Sequence, residues 1–363
     1  MIFDHITLGQ RVVFGSHRAA ENLARVVAER GAKRVMLIAG EFELEMARNV
    51  STQIEVALEY SDVVMHVPIE TAEKARRAAR ETQTDLIVCV GGGSTTGLAK
   101  AVALTTGLPI VAVPTTYAGS EATNVWGLTE NERKTTGVDN KVLPETIIYD
   151  ASLTLSLPIE MSVASGLNGM AHCIDSMWAP RADPINAALA SEGIRALNIG
   201  MQQIISEPHE LPGREYALYG AYLSAVAFAS AGSGLHHKLC HVLGGTFNLP
   251  HAQTHATVLP YVLAFNQGHA PLAAERIAAA FSHQDALSGL QALRREVQAP
   301  SALADYGYDE DDIATTVDIT LENVPENNPR EVTRENLTEL LFAALHGADP
   351  ATLLSQPATS DKN

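Results

Sequence analysis

The sequence is poor in the features that mark several protein classes. It has three cysteines in 363 residues, Cys89, Cys173 and Cys240, an odd set without metal-type spacing. That excludes a disulfide scaffold and fits buried free thiols in a reducing cytoplasm. The opening MIFDHITLGQ has no basic stretch followed by an apolar one, so no secretory signal is read there. No apolar run approaches the ~18 residues needed to cross a bilayer. Positive charge is scarce: Lys plus Arg number 25 against 42 Asp plus Glu, a net charge of −17. Such a field repels nucleic acid and anionic lipid, so neither is expected as a partner. Internal repeats and low-complexity linkers are absent as well.

What is present is ample apolar material. Hydrophobic residues make up 46% and charged residues 18%, a globular balance, and the length calls for more than one core. Up to about residue 156, short apolar runs alternate with helical patterns. Strands are expected at Arg34–Ala39, Asp62–Met65, Asp85–Val90 and Leu108–Val113. Helices are expected at Ala19–Arg30, closed by Gly31, at Thr71–Thr82 and at Thr95–Leu104. This alternation predicts a doubly wound parallel sheet. After Leu157, long Ala/Leu-rich segments with helical periodicity take over, among them 163–178, 184–205, 214–232 and 236–246. The expected architecture is an α/β domain over 1–156, an all-α domain over 157–352 and a frayed tail over 353–363.

Two places carry chemistry. Gly91-Gly92-Gly93-Ser94 follows a buried strand and leads into a helix. Glycines let backbone amides approach a phosphate, and the helix start offers free N–H groups and a positive dipole end. The pattern is neither Gly-x-Gly-x-x-Gly nor a Walker loop. Thr115, Thr116 and Ser120 follow the next strand at the same carboxyl edge, where open α/β sheets bind ligands. The second place is histidine-rich. Five of the thirteen histidines fall between Leu235 and Ala256: His236, His237, His241, His251 and His255. His237 and His241 share a helical face, as do Asn168 and His172. Such a cluster suits a divalent metal or a polar substrate. A nucleotide-binding module without catalysis has no use for it.

These segments, with Ala99-Lys100, Gly119-Ser120-Glu121, Gly166-Leu167-Asn168, Ala171-His172, Gly234-Leu235-His236-His237, His241-Val242-Leu243-Gly244 and Pro250-His251, resemble the ordered signatures of the iron-dependent alcohol dehydrogenases. The resemblance runs from Arg11 to about Asn266. It is closer to the maleylacetate reductase subgroup at Gly91–Lys100, Val113–Glu121, Lys134–Gly137 and Gly234–Phe247. It implies the dehydroquinate synthase-like fold of α/β plus helical domains, a cytoplasmic homodimer, NADH or NADPH as cofactor, and reduction of the carbon–carbon double bond of a dicarboxylate, maleylacetate, to 3-oxoadipate in aromatic-compound breakdown. The resemblance also places the family's metal ligands at Asn168, His172, His237 and His251. The first is an Asp in metal-dependent members, and a neutral amide is a poor partner for a hard cation, so no metal is expected. Gly97 stands where many members have Asp beside the nicotinamide ribose. Gly40 stands where an acid often sets NAD over NADP, and the adjacent Glu41 is the expected substitute. His241 is the expected proton donor. His172, His237 and His251 are expected at the reacting oxygen, with Asn168, Lys238 and Lys134 binding substrate. Two enzymatic alternatives stay open: a metal-dependent alcohol or polyol dehydrogenase, and a lyase resembling dehydroquinate synthase that uses NAD transiently.

Overall fold

The structure, a computed structural model, describes residues 2–130 and 133–354; the side chains of 133 and 134 lie outside it, as does most of the tail expected over 353–363. The chain folds as two compact units. One comprises 7–158 together with 207–218, the other 1–6, 159–206 and 219–363. The chain thus passes between them several times, which a single boundary at residue 156 does not describe.

In the first unit the chain runs β1 (Arg11–Phe14), α1 (Ala19–Arg30), β2 (Val35–Ile38), α2 (Leu44–Val50), β3 (Val56–Tyr60), α3 (Ile69–Glu81), β4 (Leu86–Gly91), α4 (Gly93–Thr106), β5 (Ile110–Pro114), the hairpin β6 (Val125–Glu130) and β7 (Arg133–Val138), and β8 (Thr146–Tyr149). Six of these strands form one parallel sheet in the order β1-β8-β5-β4-β2-β3. The unbroken apolar run of β4 follows from its central place. Leu86, Val88 and Val90 pack with Leu23, Val26 and Val27 of α1. Ile87 and Cys89 face the opposite core, with Ala72 and Ala75 of α3 and Leu98 and Val102 of α4. Both faces are dry, so both sets of alternating side chains must be apolar. Each such Val, Leu or Ile contributes about 1.5–3 kcal/mol by leaving water.

Three expectations need correction. No strand forms at Asp62–Met65; the edge strand is β3, whose half-buried Val56, Leu58 and Tyr60 alternate with exposed Ala57 and Glu59. Continuous apolar runs mark β2, β4 and β5 and pass over an edge strand wet on one face; the four-residue β8, though buried throughout, is too short a run to stand out. The same bias misses β1 and the β6–β7 hairpin. The helix after the glycine run begins at Gly93 rather than Thr95, so Gly93 and Ser94 belong to its first turn.

In the second unit the helices are α5 (Ile159–Ser176), α6 (Pro184–Ser206), α7 (Leu211–Ala231, from Tyr219 onward), α8 (Leu235–Phe247), α9 (His251–Gln267), α10 (Pro271–Phe281), α11 (Ala286–Glu296), α12 (Ile313–Leu321) and α13 (Arg334–His346). Strands are absent from its described residues. α5 is buried continuously from Ser162 to Ser176, and α9 from Thr254 to Asn266. A helix enclosed on all sides sits at the centre of its domain. Polar side chains on it cannot reach bulk water, so each needs an internal partner or a ligand. Among the described residues no helix is long and apolar enough to cross a membrane.

Candidate active site

At the carboxyl edge of the sheet, Gly92 is the N-cap of α4 in an extended conformation, and no side chain caps the helix. The first-turn amides of a fourteen-residue helix are therefore left for another acceptor. A Cβ on Gly93 would meet nothing within 4 Å, so the backbone there borders open space. One on Gly92 would come within 3.0 Å of Thr116 Cγ2. Ser94, Thr116 and Ser120 are half-buried and Thr115 is buried. The Thr115 amide donates to the Gly91 carbonyl at 3.1 Å, tying the second loop to the first. Lys100 fixes the far side. Its buried ammonium donates to Ser120 O (2.6 Å), Thr123 Oγ1 (3.0 Å) and Val125 O (2.8 Å). Burial lowers its pKa to about 7, with nearby Glu121 opposing the shift. Lys100 thus holds the Thr115–Ser120 loop in place, a role the sequence pattern does not reveal. The space above Gly97 is filled: a Cβ there would meet Val67 Cγ2 at 3.0 Å. Val67 and His66 both have positive φ, 47° and 63°, costly for a β-branched residue. Gly40 and exposed Glu41 follow β2 at the same edge of the sheet.

The second unit gathers the histidines. Spacing along α5 puts Asn168, His172 and Asp175 on one stripe. α8 contributes His236, His237, Cys240 and His241, and α9 contributes His251 and His255. The rings of His172 and His237 stack at 4.8 Å with 10° between their planes, both against Phe228. His237 and His255 centroids are 4.9 Å apart, and those of His251 and His255 are 4.4 Å apart. His241 lies further off, its ring 6.3 Å from that of His237, and is half-buried, as are His251 and Lys238. Lys134 stands on β7 in the other unit, its side chain outside the described residues.

One participant escapes the sequence reading. Asp175 Oδ2 accepts hydrogen bonds from His237 Nδ1 and from the Gly234 amide, both at 2.7 Å. The approach depends on glycine, because a Cβ on Gly234 would fall 2.3 Å from Asp175 Oδ1. The available signal is that Asp175 lies seven residues after Asn168 on the same helix. Burial raises the Asp175 pKa to about 6, against several stabilising hydrogen bonds. Burial holds His172 down to about 4, His236 to about 3, and His237 and His255 well below the usual imidazole range, with neighbouring histidines adding to the effect on the last three. The imidazoles are therefore neutral at pH 7. A carboxylate on Nδ1 makes that nitrogen the one bearing hydrogen, so His237 presents Nε2 as a lone pair.

Six buried polar atoms here have no hydrogen-bond partner: Asn168 Oδ1, His172 Nδ1, Asp175 Oδ1, His236 Nδ1, His237 Nε2 and His255 Nε2. Such atoms are rare in folded proteins, and each costs about 1–3 kcal/mol. Six together mark a place built to receive a polar ligand. His236 Nε2 and His255 Nδ1 do bond each other at 3.0 Å, with Cys240 Sγ 3.6 Å from the former. Among the described residues, His236, Cys240 and His255 are the group of three His, Cys, Asp or Glu whose ligand atoms lie within 4.8 Å of one another.

Comparison with known proteins places this architecture. The profile described as iron-containing alcohol dehydrogenase matches residues 9–151, and that of the C-terminal part of the Fe-containing alcohol dehydrogenase family matches 162–345. The maleylacetate reductase of Sphingobium indicum is 43% identical over 97% of this chain and 100% of its own. The structure of an iron-containing alcohol dehydrogenase from Corynebacterium glutamicum superposes with a TM-score of 0.96 at 67% identity, covering 97% of this chain and 99% of that one. A maleylacetate reductase from Agrobacterium tumefaciens does so with 0.91 at 38%, covering 96% and 99%.

Proposed function

The chain belongs to the iron-containing alcohol dehydrogenase family, an NAD(P)-dependent oxidoreductase family, and from that premise we propose that it reduces the carbon–carbon double bond of maleylacetate to give 3-oxoadipate. The observation that carries this reading is the set of six unpartnered buried nitrogen and oxygen atoms around His237, which marks a site for a polar ligand that brings its own protons and charge. The relatives named maleylacetate reductase, aligned over nearly the whole chain, support it.

The uncapped α4 terminus and the open space beside Gly93 fit a dinucleotide pyrophosphate, with Thr115, Thr116 and Ser120 within the same loop system. NAD(P)H, when bound, supplies the hydride that adds to the alkene carbon β to the ketone. The residues' part is to accept the charge that then develops on the ketone oxygen and to protonate the α carbon. Two substrate carboxylates entering the cluster raise the proton affinity of its imidazoles. His237 then takes a second proton at Nε2 while Asp175 holds Nδ1, and that Nε2 proton goes to the α carbon. Asn168, His172, His251 and Lys238 serve as donors to carboxylate and enolate oxygens. His241, the donor anticipated from sequence, lies farther off and in this reading relays the proton.

The four positions at which the family places its metal do not fit a hard divalent cation. They hold a neutral amide and three imidazoles, a set with no anion to offset the charge of such an ion. The proposal therefore includes no resident metal. It also keeps the chain a cytoplasmic homodimer, and the net charge of −17 supports the absence of nucleic-acid and anionic-membrane partners.

The test is NADH and NADPH consumption with freshly prepared maleylacetate, set beside NAD+ and NADP+ reduction with ethanol and with 1,2-propanediol, each before and after exhaustive chelation. Maleylacetate is expected to be preferred by orders of magnitude in both samples. Comparable turnover of either alcohol would overturn the substrate. Activity lost on chelation and restored by one equivalent of metal would overturn the metal-free reading.

A further inference from the structure

After Ile38 the chain leaves β2 through a tight turn in which the Glu43 amide donates to the Gly40 carbonyl at 3.0 Å. The Glu43 side chain folds back over that turn. A Cβ built on Gly40 would stand 2.6 Å from Glu43 Oε2. The carboxylate thus occupies the space in which a side chain at position 40 would begin. Glu43 is half-buried there, whereas Glu41 and Phe42 are exposed. β2 pairs with β4 in register, Ile38 opposite Cys89. The turn therefore stands one strand over, about 5 Å in the sheet plane, from the loop that begins at Gly91. In doubly wound folds an acid at the end of the strand next to the phosphate loop receives the adenosine ribose hydroxyls.

The surrounding charge has one sign. Between Ala39 and Ala47 the chain carries Glu41, Glu43 and Glu45 and no Lys or Arg. Arg48, the next cation, is engaged with both carboxylate oxygens of Glu59. Lys74, on α3, pairs with Asp62 at 3.6 Å. A 2′-phosphate, bearing about −1.5 to −2 charge at neutral pH, would meet carboxylates here and no uncommitted cation on this turn.

We infer that Glu43, rather than Glu41, accepts the 2′- and 3′-hydroxyls of the adenosine ribose and repels a 2′-phosphate, making this chain selective for NADH. The inference rests on the dinucleotide site proposed above. A side chain three residues beyond the usual position supplies the missing acid because Gly40 leaves its place empty. Glu41, though adjacent in sequence, stands exposed to solvent.

The experiment is calorimetric titration of the full chain with NADH and with NADPH, without substrate, for the wild type, Glu43→Gln and Glu41→Gln. The wild type is expected to bind NADH ~100-fold more tightly. Glu43→Gln is expected to shrink the ratio to about tenfold or less, chiefly by tightening NADPH, with an unchanged melting temperature because the turn's backbone bond is kept. Glu41→Gln should leave the ratio within about twofold, as for a screened surface charge. A wild type that binds both equally overturns the inference, as does Glu41→Gln moving the ratio as far as Glu43→Gln. Wild-type discrimination that survives Glu43→Gln sinks the inference alone and leaves the dinucleotide site standing. Failure of the wild type to bind either dinucleotide overturns the site and the inference together.

Discussion

The phosphate loop and the histidine cluster are built on opposite principles. At the loop the working groups are backbone amides, and side chains matter mainly by being absent. Gly92 and Gly93 leave room, while Lys100 and the Thr115 amide brace the second loop from behind. At the cluster the working groups are side chains on three buried helices, and several have no partner of their own. A backbone site depends on few identities and shows itself as a glycine run after an apolar strand. A side-chain site depends on how α5, α8 and α9 pack, and its sequence trace is correspondingly scattered.

That contrast sets the largest expected effect. Gly92→Val places a branched Cβ where Thr116 Cγ2 is already only 3.0 Å away and fills the cradle at the start of α4. Gly92 has φ −86°, which valine tolerates, so the fold should survive. NADH affinity should fall by ~100-fold or more, since the anion loses its approach to the helix terminus. Titration with NADH beside a thermal melt checks this. Unchanged affinity in a folded variant would reduce the loop to a structural turn.

The cluster should respond more moderately and through the pH profile. Asp175→Asn keeps the size of the side chain and an oxygen for the Gly234 amide, yet removes the charge that holds the proton on His237 Nδ1. Losing an orienting partner of this kind typically lowers activity ~10–100-fold. The loss should fall on kcat rather than KM, and the acidic limb of the pH–rate curve should move, because the imidazolium form of His237 loses its counter-charge. A uniform fall in kcat/KM without a change in profile would make Asp175 merely structural.

How far each region is legible in the sequence follows from the same physics. Strands β2, β4 and β5 and the glycine loop can be read because burial on both faces demands an apolar run and a phosphate cradle demands small residues, whereas the short buried β8 is missed. The edge strand β3 is misplaced because its period-two pattern is diluted by one wet face. In the cluster, Asn168, His172 and His237 emerge through helical spacing and family resemblance. Asp175 does not, since an Asp within a helix looks like a solvated residue until its burial and its contact with Gly234 are known. Glu43 yields to Glu41 in the sequence because adjacency suggests the nearer residue, whereas the turn at Gly40 directs the farther one inward.

The smallest effect concerns stability in acid, and the two kinds of titratable group at the cluster pull in opposite directions. His172 and His236 are held to about 4 and about 3, chiefly by burial, and His237 and His255 are lowered as well. A histidine depressed in the folded state binds its proton more readily when unfolded. Its contribution is intact above the unfolded value of about 6.5 and is lost as pH falls toward the folded value. Asp175, raised to about 6, behaves oppositely: its buried charge weighs against folding at neutral pH, and protonation relieves that between about pH 6 and pH 4. Four histidines outnumber one carboxyl, so the melting temperature should fall by several degrees between pH 6.5 and pH 4. The sheet unit supplies the control. His172→Phe with His255→Leu removes two of the titrating rings and should flatten this part of the curve, whereas removing exposed acids near β2 should not. A decline of equal slope in the double variant would place the acid sensitivity outside the cluster and undo the contrast between a backbone-built site and a side-chain-built one.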